Sequence, residues 1–297
     1  MKTRSLNRQI LNLAIPSMLA GITIPLVGMA DTAIAGHLGS ATAIGGIAIG
    51  STLFDLLYWN FGFLRIGTAG ITAQAFGKGD RQEIIRTGMQ GMILALAFSL
   101  LLILIQWPFA HLVILLSPSS PEVEALSLEY FFIRIWAAPA VLALFVFRGW
   151  FIAVQNTLAS MIIDVVINVT NIGLSILFAL NMGMGIKGIA LGTVVAQYTG
   201  LLCGVVLLFV LYRKMIRGVP LVAAIKTGGW KRYFNLSGNL FIRSICMLLI
   251  YTGFTFLAAQ YGDTLLAVAT IMMKLLLLFS YFVDGFAYAG EALTGKF

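Results

Sequence analysis

Long apolar stretches separated by short polar segments follow one another along the whole chain. A helix needs about 20 apolar residues to cross the hydrocarbon core of a bilayer, and these stretches reach that length. The pattern therefore predicts eight membrane spans. They cover approximately residues 10–35, 44–76, 89–116, 130–153, 161–180, 189–211, 236–259 and 265–297.

Composition agrees with this pattern and excludes a water-soluble fold. Of the 297 residues, 60% are hydrophobic and only 10% are charged, whereas soluble proteins are about 45–50% apolar and about 25% charged. The predicted spans use most of the length, which leaves no room for a large soluble domain. We therefore predict an all-α polytopic membrane protein.

The net charge of +8 indicates orientation rather than a nucleic-acid partner, and we expect no nucleic acid to bind. Most loop Lys and Arg residues lie at the N-terminus, in the 77–88 loop and in the 212–234 loop. Among the Lys and Arg residues, the alternate loops contain only Lys187. Since cytoplasmic loops carry the excess of Lys and Arg, the N-terminus is predicted to be cytoplasmic.

The chain contains an internal repeat with a shift of 223 residues. Spans one and two align without a gap on spans seven and eight, and the identical pairs include Thr32/Thr255, Gly39/Gly262, Tyr58/Tyr281, Gly62/Gly285, Phe63/Phe286 and Gly67/Gly290. An even number of spans separates the copies, so both have the same orientation in the membrane. Parallel repeats of this kind are a transporter architecture.

The repeat predicts three regions along the chain. Residues 1–211 form a six-helix N-terminal lobe, residues 212–234 a basic cytoplasmic linker, and residues 235–297 the first two helices of a C-terminal lobe. The second copy stops where the first is still inside its second span. We therefore expect a truncated chain or a fragment, the alternative being a protein that pairs with a separate second half.

Asp31 is the main candidate for function, because it lies deep inside the apolar first span after two prolines, Pro16 and Pro25. A charge at that depth costs at least ~2.5 kcal/mol and usually faces a cavity or a partner. A carboxyl in such a cavity can bind and release a proton near neutral pH. The prolines predict a bend in the same helix. The alternative is a structural acid paired with a nearby Arg or with hydroxyl groups.

A polar stripe on span five accompanies this acid. Asp164, Asn168, Asn171 and Ser175 follow one another at helical spacing and share one face. A polar stripe in a membrane helix faces other helices or water, so it could complete a cavity with Asp31. The alternative is hydrogen bonding between helices, which uses the same residue types.

Several cationic side chains also lie within spans. The possible charge partners for the buried acids are Arg65, Arg134, Arg148, Arg243 and Lys274. For Arg148, which lies near the cytoplasmic end of its span, the alternative is snorkelling. The sequence contains no phosphate-binding loop, no Ser/His/Asp set, no HExxH motif and no His/Cys cluster. We therefore expect neither an enzyme nor a metal site, and no catalytic residue.

Three motifs resemble one transporter family. ADTAIAGHLG (30–39) resembles the DTxxxGHLG signature of the MATE family (multidrug and toxic compound extrusion). FLRIGTAGITAQAFGKGD (63–80) and DGFAYAGEALTGKF (284–297) are similar to its DinF branch. The resemblance implies twelve spans in two six-span lobes and export of cationic or amphipathic compounds in exchange for H+ or Na+.

The same resemblance assigns roles to individual positions. Asp31 occupies the place of the cation-coupling aspartate, Pro16 that of the proline where the helix bends, and Asn171 that of a span-five asparagine beside the cavity. Family members often have a second aspartate four residues after that asparagine, where this chain has Ser175. That departure puts a two-carboxylate site of the usual kind in doubt.

The sequence thus predicts a secondary active antiporter of the bacterial cytoplasmic (inner) membrane that exports cationic or amphipathic organic compounds. Its partners are small organic substrates and the lipid bilayer, with a monomer expected at full length. We expect no cofactor beyond the coupling ion, and the few carboxylates near Asp31 favour H+ over Na+.

Two alternatives remain open. A flippase for lipid-linked saccharides would hold several cationic residues in its central cavity, such as Arg65, Arg134 and Arg243. A truncated, non-transporting membrane remnant is the other alternative.

Overall fold

The computed structural model describes residues 6–38, 41–116, 119–217, 230–260 and 263–294, apart from the side chains at some helical positions, mainly in α1, α9 and α10. Ten α-helices cover most of these residues. They are α1 (Leu6–His37), α2 (Ala41–Trp59), α3 (Gly62–Lys78), α4 (Arg81–Leu116), α5 (Pro121–Arg134), α6 (Ala138–Ala153), α7 (Thr157–Ile176), α8 (Ile186–Ile216), α9 (Trp230–Gln260) and α10 (Asp263–Thr294). A 3-10 turn (Ile135–Ala137) joins α5 to α6, and a π-helical turn (Leu177–Asn181) follows α7.

The all-helical membrane fold is confirmed, and each predicted span corresponds to one helix or to two consecutive helices. Six stretches of the described residues are long and apolar enough to cross a membrane, and they are Thr42–Lys78, Arg81–Leu115, Pro121–Ala153, Thr157–Asn181, Ile186–Ile216 and Tyr233–Tyr251. The second span is formed by α2 and α3, and the fourth by α5 and α6. The first span is one continuous helix through Pro16 and Pro25, so the predicted bend remains a prediction.

Several helices extend beyond the predicted spans because polar residues cap their ends. The predicted 77–88 loop is shorter, since α4 already begins at Arg81, where Asp80 Oδ1 accepts a hydrogen bond from the Glu83 N–H at 3.0 Å. The predicted 117–129 loop is also shorter. Ser120 caps α5, and Pro121 occupies its first turn.

The predicted linker is also shorter at both ends, because the flanking helices continue through polar residues outside the hydrocarbon. Helix α8 continues to Ile216, and α9 begins at Trp230. Residues 218–229 of the linker lie outside the described residues.

Glycines allow close helix contacts at two places. In the 43–51 segment, a Cβ at Gly46 would lie 2.9 Å from Leu126 Cβ, and Gly50 packs against the ring of Tyr130, which brings α2 against α5. Helix α8 presents a ladder of small residues to α7 at a spacing of four, consisting of Gly188, Gly192, Ala196, Gly200 and Gly204. Small residues at this spacing let two helix backbones approach closely in a membrane.

Contacts between the repeats follow the 223-residue shift. Helix α1 packs on α10, while its counterpart α9 packs on α3, as a two-fold relation requires. Tyr233 of α9 is fully buried, and its hydroxyl lies 2.7 Å from Thr68 Oγ1 of α3. At the counterpart position, Ile10 of α1 packs in a cluster with Ala289 and Ala292 of α10. Corresponding helices of the two copies therefore pack on each other, although the side-chain contacts differ.

Candidate functional site

The Asp31 carboxyl of α1 is buried beside α7 and interacts with the end of α5. The residue is only 3% exposed, and its Oδ1 atom has no hydrogen-bond partner. The Ser175 hydroxyl of α7 faces this carboxyl, although Ser175 Oγ also lacks a hydrogen bond. A buried acceptor without a partner is costly, so the carboxyl is poised to accept a proton or a donor.

One turn before Ser175, Asn171 links α7 to α8. Its Nδ2 donates a hydrogen bond to Thr193 Oγ1 at 2.9 Å, and both residues are buried. Asn171 Oδ1 and Asn168 Nδ2 are buried without partners. The bond from Asn171 to Thr193 is hydrogen bonding between helices, one of the two interpretations of the polar stripe. A cavity that the stripe completes with Asp31 stays a prediction.

Arg134 at the end of α5 is the cation that interacts with Asp31. Its guanidinium interacts with the carboxylates of Asp31 and Asp55, yet forms no ion pair within 4.0 Å among the described residues. Instead, Nη1 donates to the Tyr130 hydroxyl at 2.6 Å, and the group lies 4.7 Å from the centroid of the Phe54 ring. The aromatic side chains thus fix the position of Arg134, while its charge interacts with both carboxylates.

Asp164 lies on α7, like Ser175, but far from it along the helix. It precedes Ser175 by 11 residues, which corresponds to about 16 Å along α7. Arg148 of α6 contacts its Oδ1 atom twice, with Nη2 at 2.6 Å and Nε at 2.8 Å. Of the two interpretations of Arg148, the structure shows the charge partner, because its guanidinium pairs with this buried carboxylate. The polar stripe therefore serves two sites at different depths.

A cavity of about 200 Å³ opens beside this ion pair. Its lining includes Ser17 of α1, Arg65 of α3, and Asp284 and Tyr288 of α10. The Arg65 guanidinium lies 4.3 Å from the centroid of the Tyr288 ring and interacts with the carboxylates of Asp284 and Glu291. Ser17 Oγ donates to the Leu13 carbonyl at 2.9 Å, a contact that often bends a helix.

Arg243, another predicted charge partner, is exposed on α9 and pairs with no acid in the part of the chain that the structure describes. The side chain of Lys274 lies outside the described residues. The described residues also contain no group of three or more His, Cys, Asp or Glu side chains that could hold a metal.

Sequence reasoning missed Thr193, Tyr130 and the ladder of small residues on α8. The ladder had a visible signal, because small residues recur every four positions from 188 to 204. Tyr130 and Thr193 carried no such signal, since a single hydroxyl in an apolar span becomes informative only when its neighbours on other helices are known.

Comparison with known proteins identifies the family of this chain. Residues 16–177, more than half of the chain, match the MatE family model. DNA damage-inducible protein F of Escherichia coli is 36% identical over 293 residues, which are 98% of this chain and 64% of the relative. Multidrug resistance protein MdtK of Edwardsiella ictaluri is 28% identical over 172 residues, or 58% of this chain and 37% of that protein.

Solved structures show the same fold. A crystal structure of MATE in the bent conformation matches with a TM-score of 0.87 at 19% identity, covering 98% of this chain and 66% of that one. An outward-facing multidrug resistance MATE transporter matches with a TM-score of 0.83 at 18% identity, covering 97% and 65%. The chain thus spans about two thirds of the length of these proteins. Its sequence motifs, its repeat and its family match agree, and the chain belongs to the MatE family of membrane transporters.

Proposed function

We propose that this chain forms the N-terminal lobe, linker and first two C-terminal helices of a secondary active antiporter. The transporter exports cationic or amphipathic organic compounds, with Asp31 as the proton-coupling carboxylate and the N-terminus in the cytoplasm. The observation that carries this proposal is the buried Asp31 carboxyl, whose Oδ1 atom lacks a hydrogen-bond partner within a polar site. The drug-resistance role named for MdtK supports the substrate class.

The geometry around Asp31 favours a proton over Na+ as the coupling ion. Dehydrated metal cations need several oxygen ligands, whereas the described oxygens are those of one carboxylate, the Ser175 hydroxyl and the Asn171 amide one turn away. The positive charge of Arg134 nearby opposes a second fixed cation. Protonation of Asp31 would release Arg134 from one of its two acids, so that the proton and the conformation of α1, α5 and α7 become linked.

The saccharide flippase receives less support. Recognition of a lipid-linked pyrophosphate calls for cationic groups that are free to bind anions. The charges of Arg65 and Arg134 are instead each offset by two carboxylates beyond ion-pair distance, which weakens their attraction for an anion, and Arg243 lies exposed on α9.

The test is export driven by an imposed pH gradient, measured with a fluorescent organic cation in proteoliposomes. Asp31→Asn should abolish the dependence of export on the pH gradient, because the amide cannot exchange a proton. Asp55→Asn is the matched control, since Asp55 faces the same arginine but is exposed. Gradient-driven export that survives Asp31→Asn, or that depends on Asp55 instead, would remove Asp31 from the mechanism.

A further inference from the structure

Arg65 and Tyr288 are counterparts in the two repeats, because they are separated by the shift of 223 residues. They also contact each other, with the guanidinium 4.3 Å from the ring centroid. Parallel repeats are related by an axis along the membrane normal. A residue can contact its own counterpart only near that axis, so this contact marks where the axis passes between α3 and α10.

The chemistry across the axis is unequal. Two carboxylates of the second repeat, Asp284 and Glu291, interact with Arg65. Their counterparts in the first repeat are Phe61 and Thr68, which carry no charge. One arginine of the first repeat therefore faces a ring flanked by two acids of the second, and Asp284, Tyr288 and Glu291 share one face of α10.

The Arg65 guanidinium has a second group within reach, the Asp284 carboxylate. Its Nη1 atom is buried without a hydrogen-bond partner, and no carboxylate lies within 4.0 Å of it among the described residues. Asp284 lines the same cavity of about 200 Å³ as Arg65 and Tyr288, whereas Glu291 does not. The cavity gives the guanidinium room to move from the ring to the Asp284 carboxylate.

We propose that Arg65 is a positioning residue that couples the two repeats by exchanging partners on α10. It stacks on Tyr288 in the arrangement seen here and pairs with Asp284 in the opposite arrangement. The proposal rests on the transport function, since alternating access moves one repeat against the other. Such a switch needs two discrete arrangements of packed groups, and the cavity beside the ring supplies the second one.

The other charged groups around the cavity stay with the first repeat. Arg148 and Asp164 are paired through two contacts between α6 and α7. The Arg148 guanidinium is therefore already engaged, and Arg65 is the cation that can change partners across the axis.

Electron spin resonance distances between the repeats test the exchange. Spin labels replace the exposed residues Lys78, at the end of α3, and Thr294, at the end of α10, after serine substitution of Cys203 and Cys246. The distance distribution of the reconstituted chain reports the ratio of the two arrangements, without any measurement of transport.

The two partners should shift this ratio in opposite directions. Tyr288→Ala removes the stacked arrangement and should change the ratio about tenfold towards the second distance, as loss of a desolvated cation–π contact implies. Asp284→Asn should shift it the other way. Tyr288→Phe keeps the ring and should give the same distribution as the unsubstituted protein. Glu291→Gln should change it much less than Asp284→Asn, because Glu291 does not line the cavity.

A merely structural role gives a different pattern. Both substitutions would then broaden the distribution in the same way, and that result would overturn the proposal. So would opposite shifts that persist in an Arg65→Ala background, since the exchange requires the guanidinium. Asp31→Asn separates proton coupling at Asp31 from partner exchange by Arg65. Loss of proton coupling would leave the effects of the Tyr288 and Asp284 substitutions intact.

Discussion

The buried ion pair between Arg148 and Asp164 allows a quantitative prediction. Both short contacts, at 2.6 and 2.8 Å, reach the same oxygen, Oδ1 of Asp164. The Arg148 side chain is 21% exposed and that of Asp164 only 9%. Replacing Arg148 with methionine keeps a long side chain but leaves the carboxylate between α6 and α7 without its cation. Asp164→Leu instead strands the guanidinium, which still borders the cavity.

Removing one member of a buried pair typically costs 3–5 kcal/mol, because an uncompensated charge remains. The cavity exposes part of Arg148, so we expect the lower end, about 3 kcal/mol for Arg148→Met, or roughly a hundredfold in the unfolding equilibrium. Replacing both members with apolar residues is often close to neutral. The double variant Arg148→Met/Asp164→Leu should therefore recover most of the stability that Arg148→Met loses.

The assay is reversible unfolding in mixed micelles of a denaturing and a mild detergent, followed by circular dichroism. Arg213→Met is the matched control, since Arg213 is exposed at the end of α8, where substitutions usually change stability by less than about 0.5 kcal/mol. If the double variant lost the sum of the two single effects, the pair would not be coupled, and the reasoning from its geometry would be refuted.

Two further predictions concern packing between helices and are measured by the same unfolding assay. Gly188→Ala should destabilise the protein by about 1–3 kcal/mol, because the added Cβ would lie 2.6 Å from backbone atoms of the π-helical turn, whereas Gly173→Ala has open space and should be neutral or slightly stabilising. Equal effects of the two substitutions would contradict the close approach of α7 and α8. Tyr233→Phe should cost about 1 kcal/mol through loss of the hydrogen bond to Thr68, and this cost should vanish in a Thr68→Val background. A cost that persists there would show that the hydroxyl acts elsewhere.

The fold and the position of Asp31 could be predicted from the sequence because both depend on local contrast. Uninterrupted apolar runs identify the spans, and a single acid within such a run is conspicuous. The predicted helix ends were less accurate than the predicted spans, because α4 and α5 begin at polar capping residues that hydropathy assigns to loops. Caps satisfy backbone groups outside the hydrocarbon, so they leave no trace in an apolar pattern.

The partners of the charged residues required the tertiary structure. The sequence placed Asp164, Asn171 and Ser175 on one face, but the distance along α7 separates the first from the other two. Arg148 and Asp164 lie on different helices, and only packing of α6 against α7 brings them together. A helical periodicity states which residues share a face, and it does not state which neighbour that face meets.

The contact between Arg65 and Tyr288 also limits how alike the two halves can be. In a symmetric pair of identical six-span subunits, the residue at this position would face its own copy across the axis. Arginine would then oppose arginine at close range in a low-dielectric interior, where like charges repel strongly. The present pairing is compatible only with halves that differ at this position. A single chain that carries both repeats can hold an arginine on one side of the axis and a ring with its acids on the other, which a symmetric pair of identical subunits cannot.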